Sequence, residues 1–213
     1  KGVIKMEHIK LIVPSSKYEE QVMRAREDIL NLGEHFDGCE GLEDVSSYTE
    51  WLDFENRLKT RYGEGYVPSD IYLAVTEETD TVVGIIDFRH YLSDFLLQYG
   101  GHIGYSVVPT QRRKGYGTEM LRIMLEDLKQ RGEKRLLLCV DKENIPSVKI
   151  ITKNGGILEN EVEDDEGNKE TEYSISDTGE VRKDSINYIL SQSEQQGYKF
   201  VTLLIEGKQK RMR

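Results

Sequence analysis

Arg112-Arg113-Lys114-Gly115-Tyr116-Gly117-Thr118 joins a strand-like segment, His102 to Val108, to a stretch with Leu121, Met124, Leu125 and Leu128 at helical spacing. Gly115 and Gly117 let the backbone turn tightly and approach a ligand with no Cβ in the way. The helix that follows points its unpaired N–H groups and positive dipole end into the turn, and three consecutive cations add charge there. Such a loop suits a pyrophosphate. No Gly-x-Gly-x-x-Gly and no Gly-Lys-Ser/Thr occurs, which argues against a dinucleotide fingerprint and a nucleotide P-loop.

Upstream of the loop, His8 to Val13 reads as a strand ending at Pro14. Ser15 and Ser16 can cap a helix from about Lys17 to Leu32, with Val22, Ala25, Ile29 and Leu32 on one face. A second helix begins near Ser47, which can form a capping box with Glu50, and presents Trp51, Phe54 and Leu58; Gly63 and Gly65 end it. Ile71–Val75 and Val82–Phe88 read as a hairpin, followed by a loop from 89 to 101. Downstream, Gly132 closes the helix behind the glycine loop. Leu136 to Val140 is a continuous apolar strand, and Pro146 opens a short helix through Lys153. A hairpin of Ile157–Val162 and Lys169–Ser176 follows. This order predicts an α/β chain of the α+β kind, a mixed sheet with helices on both faces. The acidic run from Glu159 to Glu166 reads as a solvated edge, with a metal site as the open alternative. Residues 177–213 read as an appended helix and strand with a basic tip, either solvated or pairing with a second subunit or an acidic partner.

The chain has 213 residues, 37% hydrophobic and 32% charged, with a formal net charge of −10. That is enough to bury a substantial core, and the acidity argues against nucleic acid or an anionic membrane as the main partner. Two cysteines, Cys39 and Cys139, make neither a disulfide framework nor a zinc cluster; Cys139, inside an apolar run, is expected to be buried in a reducing compartment. No apolar run approaches the roughly 20 residues of a membrane span, so a soluble cytoplasmic protein is expected. Residues 1–5, ahead of Met6, are set aside.

His102-Ile103-Gly104-Tyr105-Ser106-Val107-Val108-Pro109, Arg112-x-x-Gly115-x-Gly117 and Asn144-x-x-Ser147, in this order, resemble the GNAT family of acyl-CoA-dependent N-acetyltransferases. The resemblance covers residues 6–176 and leaves 177–213 as a C-terminal extension. It implies acetyl-CoA as co-substrate without a metal, and an amine of a small molecule or peptide as acceptor. It places the CoA pyrophosphate on the loop formed by Arg112, Arg113, Lys114, Gly115, Tyr116, Gly117 and Thr118. The pantetheine arm would lie against the backbone near Val107 and Val108, one of whose amides would stabilise the oxyanion. Asn144 and Ser147 would contact the cofactor, and Asn144 can equally cap the helix that follows.

The reaction needs a deprotonated amine, and an alkyl amine titrates near about 10. Where family members carry a glutamate, this chain has His102, which serves either as the base or to order the Gly100–Gly101 loop. The tyrosine that family members carry seven residues after the asparagine, the acid for the departing thiolate, is Ile151 here. Thiolate protonation would then come from water or from another side chain such as Tyr105, or not be required. Arg89, His90 and Asp94 are candidates for the acceptor pocket: Arg89 for a carboxylate, Asp94 for a cationic amine, or both as surface pairs. A homodimer is compatible with this reading. A CoA-binding sensor or scaffold without turnover is the alternative function, and a partner-binding protein working through its tail is a third.

Overall fold

A computed structural model describes residues 6–59, 67–93, 95–163 and 169–175. The expected glycine stop at Gly63 and Gly65, the tip of the last hairpin, and the extension at 177–213 lie outside them, as does Asp94. The chain forms two compact units, one holding the described residues through Ser93 together with Ile103–Met124, the other the described residues of 94–102 and those from Leu125 onward.

The first unit is built on a four-stranded sheet of β1 (Ile9–Ile12), β2 (Ser69–Thr76), β3 (Val82–Arg89) and β4 (Ile103–Val107), in that spatial order. Every pairing is antiparallel, so β4 is an edge strand and β3, flanked on both sides, is buried throughout. Alternation decides what each face of the hairpin meets. Ile71, Leu73 and Val75 of β2 and Ile85 of β3 pack with Val22 and Ala25 of α1 (Glu19–Asn31) and Tyr48 and Trp51 of α2 (Tyr48–Leu58). Gly84, one residue out of phase, lies under α3 (Tyr116–Arg131): a Cβ there would sit 2.9 Å from Met120 Sδ.

Two helix starts differ in detail from expectation. Ser15 makes no side-chain cap, and a 3-10 turn over Ser16–Tyr18 precedes α1. Leu32, expected on the apolar face, is 57% exposed because the helix has ended at Asn31. At α2, Ser47 caps by accepting from Glu50 N at 3.2 Å, but the Glu50 carboxylate accepts from Ser46 N and Ser46 Oγ instead of returning to Ser47.

The second unit holds β5 (Leu136–Asp141), α4 (Ile145–Lys153), β6 (Gly156–Glu163) and β7 (Lys169–Ile175), with strand order β5-β7-β6, again antiparallel. The expected α+β arrangement of sheet and helices is thus present, with the described strands paired in two antiparallel groups. Part of the expected 89–101 loop is a π-helical turn over Leu96–Gly100. Gly101 follows at φ 65°, and a Cβ there would meet Leu137 O at 2.6 Å. Cys139, expected to be buried, is only half-buried, and Cys39 is buried. No helix among the described residues is long and apolar enough to cross a membrane.

Candidate active site

The glycine loop starts from a 3-10 turn, Pro109–Gln111, which stops β4 and turns the chain. Arg113 takes a left-handed backbone at φ 63°, Gly115 one at φ 97°. The first bond of the α3 ladder runs from Glu119 N to Gly115 O, so the amides of Tyr116 and Gly117 lie ahead of any partner carbonyl in the helix. Both residues are buried, and Tyr116 therefore offers its amide while its ring packs in the core. Thr118 completes the first turn. This is a place where an anion is stabilised by dipole and amide together.

The three cations of the loop are not equivalent. Arg113 is exposed, and Lys114 Nζ donates to Gln111 Oε1 at 2.8 Å. Arg112, expected to face the phosphate, instead donates from Nε to Val107 O at 3.2 Å and from both terminal nitrogens to the Glu34 carboxylate. Three of its five N–H groups are thus engaged, and the side chain ties the segment just after α1 to β4 and shapes the loop.

The β3–β4 register sorts the two candidate oxyanion amides. Val108 N donates to Val83 O at 3.0 Å, which makes that pair hydrogen-bonded; by alternation the next residue, Val107, turns its N–H toward the outer edge of β4. Val108 is thereby removed as a donor, and Val107 is left with the right direction. Tyr105, half-buried, shares that backbone orientation. Because the Arg112–Glu34 pair is partly exposed, its loss is expected to cost about 1 kcal/mol, so Arg112→Ala and Glu34→Gln should each raise KM for acetyl-CoA roughly fivefold. Equal KM values in steady-state assays of the wild type and both variants would count against this role.

Behind β4, on the face that carries α1 and α2, lies a group of charges that periodicity alone passed over. Asp87 and Arg89 share the inward face of β3 with Ile85; Glu55 sits on the apolar stripe of α2, four residues after Trp51; Glu40 comes from the α1–α2 connection. Arg89 Nε donates to Glu40 Oε1 at 3.1 Å, and its Nη2 lies 3.2 Å from Asp87 Oδ2. Asp87 Oδ1 accepts from Gly104 N at 2.8 Å. Burial raises the pKa of Asp87 and of Glu40, while Arg89 pulls both down. Glu55 is pushed up to about 9, first by burial and then by the neighbouring Asp87 and Glu40. The signal available in sequence was phase: Asp87, Arg89 and Glu55 all fall on apolar faces.

Arg89 is therefore a core residue, 8% exposed and committed to two carboxylates, not the open carboxylate grip expected of it. His90 Nε2 lies 3.2 Å from Asp70 Oδ2 and its backbone N–H donates to Pro68 O, which fixes it at the end of β3.

In the second unit, His102 is bound to β5 twice: its N–H donates to Leu137 O at 2.8 Å, and its Nδ1 accepts from Leu137 N at 2.9 Å. Accepting at Nδ1 requires the tautomer with hydrogen on Nε2, which has no lone pair left to receive a proton. The imidazole thus orders the Gly100–Gly101 segment, and the general-base assignment is withdrawn. Asn144 caps α4 by accepting from Ser147 N at 3.2 Å. Ile151 is a core residue on which Gly156 closes, so no acid stands at that position.

A family model described as an acetyltransferase (GNAT) domain matches residues 22–157, well over half of the chain. Among similar solved structures is a ribosomal-protein α-N-acetyltransferase in complex with coenzyme A, with TM-score 0.62 and 15% identity over 84% of this chain and 99% of that one. A GNAT-family acetyltransferase from Bacillus anthracis has TM-score 0.57 and 21% identity over 81% of this chain and 96% of its own. The microcin C7 self-immunity acetyltransferase, in complex with acetyl-CoA and AMP, has TM-score 0.57 and 18% identity over 79% and 92%. No curated protein sequence matches the chain. At these identities the structures speak for the fold, and the domain match speaks for descent: the chain belongs to the GNAT acetyltransferase family.

Proposed function

We propose that the protein transfers an acetyl group from acetyl-CoA to a primary amine of a small molecule or peptide, by direct attack within a ternary complex. The observation that carries this is the pairing of an edge strand, with the Val107 amide turned outward, and a helix start whose Tyr116 and Gly117 amides precede the ladder. The loop suits the co-substrate: Gly115 holds a left-handed turn and Gly117 keeps the first helical turn free of side-chain bulk. Acetyl-CoA supplies an activated acyl carbon on a thiol leaving group. The Gly115–Gly117 amides and exposed Arg113 would hold its phosphates, with Lys114 beside them, and Val107 N–H would donate to the carbonyl oxygen as charge builds there. Such a donor contributes about 3–4 kcal/mol in enzymes where it has been removed. The amine nitrogen bonds to the acyl carbon, the carbon–sulfur bond breaks with CoA leaving as its thiolate, and the amine's proton passes to solvent, since the Nδ1 lone pair of His102 is held by Leu137 N–H. Asn144 and Ser147 keep the cofactor role that the family pattern implies.

Thiol release from acetyl-CoA across an amine panel, run beside thermal unfolding with and without CoA, tests the reading. The expected outcome is a higher unfolding temperature with CoA and release with at least one amine. Buried Ile151 at the acid position favours one second reading, a CoA-binding sensor without turnover. Stabilisation with no release on any amine would select it, and no stabilisation would remove both.

A further inference from the structure

With the Nδ1 of His102 engaged by β5, the transfer reaction still wants a group to take the amine's proton, and the α1–α2 connection lays a carboxylate against β4 within the first unit. Ser106 pairs with Ile85, on the face of the sheet that carries α1 and α2. Its Oγ accepts from Asp37 N at 2.9 Å and donates to Asp37 O at 2.8 Å, so one hydroxyl holds both backbone groups of Asp37. Gly38 follows at φ 77°, and a Cβ on it would fall on Gly104 O. Glycine lets the connection lie this close to the strand.

The connection is braced from behind. Arg26 of α1 donates from Nε to Leu42 O at 2.7 Å and from Nη2 to Glu43 O at 2.6 Å. Glu43 Oε1 accepts from Phe36 N at 2.6 Å, and Trp51 Nε1 donates to Glu40 O at 3.2 Å. The Asp37 side chain stands apart from this network: the residue is exposed, and its carboxylate makes no hydrogen bond among the described residues. The charges that act on it are Arg89, Asp87, Glu43 and His35, and Arg89 is already committed to Asp87 and Glu40. A backbone fixed this firmly under an open carboxylate is the arrangement of a residue that meets something from outside the fold. Ser106 is the neighbour of Val107, about 3.8 Å along the chain, so Asp37 is clasped beside the amide assigned to the acyl oxygen.

We propose that Asp37 receives the reacting amine: its carboxylate accepts the amine's N–H, directs the nitrogen's lone pair at the acyl carbon and takes the proton that the nitrogen sheds. The nitrogen–carbon bond forms, the carbon–sulfur bond breaks with CoA leaving as its thiolate, and the proton goes from nitrogen to Asp37 and on to solvent. Bonding to the acyl carbon makes the nitrogen cationic and acidic, so a carboxylate suffices as the base. Ser106 is then a positioning residue, acting through Asp37. This rests on the acetyl-transfer reading for its kinetic test but not for its binding test.

n-Butylamine, cationic at pH 7, and 1-butanol, neutral and of the same chain length, are the probes. In NMR titrations without acetyl-CoA, wild type is expected to bind butylamine about tenfold more tightly than butanol, and Asp37→Asn to remove the difference. In thiol-release assays with butylamine, Asp37→Ala is expected to lower kcat/KM about a hundredfold, and added formate, a carboxylate small enough for the vacated space, to recover about tenfold of that loss. Ser106→Ala, which keeps the carboxylate and loses its clasp, should lower kcat/KM about tenfold and gain nothing from formate. Equal binding of the two probes by wild type, or an undiminished preference in Asp37→Asn, overturns the assignment even if acetylation proceeds. A loss in Asp37→Ala that formate leaves untouched is what a merely structural role would give, and it overturns the proton transfer. A preference that Asp37→Asn abolishes, with no thiol release from butylamine, upholds the amine site and removes the proton-transfer role; if CoA also fails to stabilise the protein, the transferase falls with it.

Discussion

Glu55→Gln is expected to stabilise the protein at pH 7 by on the order of 3 kcal/mol, and by more at pH 8.5. The Glu55 carboxyl is pushed up to about 9 from an ordinary value of 4.5, with burial the largest cause and the negative charges of Asp87 and Glu40 next. Below pH 4.5 both the folded and the unfolded chain hold this proton, and the site makes no pH-dependent contribution. Between 4.5 and about 9 the unfolded chain releases it and the folded chain keeps it, so stability present at low pH is lost as pH rises, by about 1.4 kcal/mol per unit. Glutamine has nearly the same shape and no proton to release. Urea unfolding of both proteins at pH 5.5, 7 and 8.5 should show the variant's advantage growing with pH. Parallel stability profiles would mean that Glu55 is ionised in the fold and that this account of the cluster is wrong.

How the sequence signalled these features depends on which physical pattern wrote them. Elements defined by long periodic runs were legible: the β2–β3 hairpin, the α3 stripe of Leu121, Met124 and Leu128, and the Leu136–Val140 strand all stand where alternation and helical spacing put them. The GNAT assignment was legible too, because strand, glycine loop and helix occur in a fixed order. Details set by a single hydrogen bond were not. Nothing in the sequence says that Glu50 would turn to Ser46, or that the turn after Val13 would tighten into a 3-10 segment. The candidate site divides along the same line. Backbone roles follow from glycine spacing, whereas Arg112, Arg89 and His102 were assigned by residue type, and type does not reveal a partner. Each found one within the fold, in Glu34, in Asp87 and Glu40, and in Leu137. The phase of Asp87 and Arg89 on an otherwise apolar strand was the overlooked clue, since a charge on an inward face needs a counter-charge to stay there.

That dependence sets the second expectation, for Arg89→Met. The guanidinium is the only cation among the described groups that pairs with both Asp87 and Glu40. Removing it leaves two carboxylates beside one another in the core. Breaking one side of a buried pair costs about 3–5 kcal/mol, because the remaining charge keeps its desolvation penalty and loses its compensation. Against a typical total of about 5–15 kcal/mol, that is a large share. Methionine keeps the length of the aliphatic stem, so lost packing contributes little. The damage should also reach β4. A Cβ on Gly104 would lie 2.8 Å from Arg89 Nη2 and 2.6 Å from Gly38 N, so guanidinium, α1–α2 connection and strand are in close contact at this point. Denaturant midpoints should therefore fall steeply in Arg89→Met and recover in Arg89→Met/Asp87→Asn/Glu40→Gln, which has no charge left to strand. If the triple variant is no more stable than the single one, the loss comes from packing, and the ion pairs contribute little to holding the connection on β4.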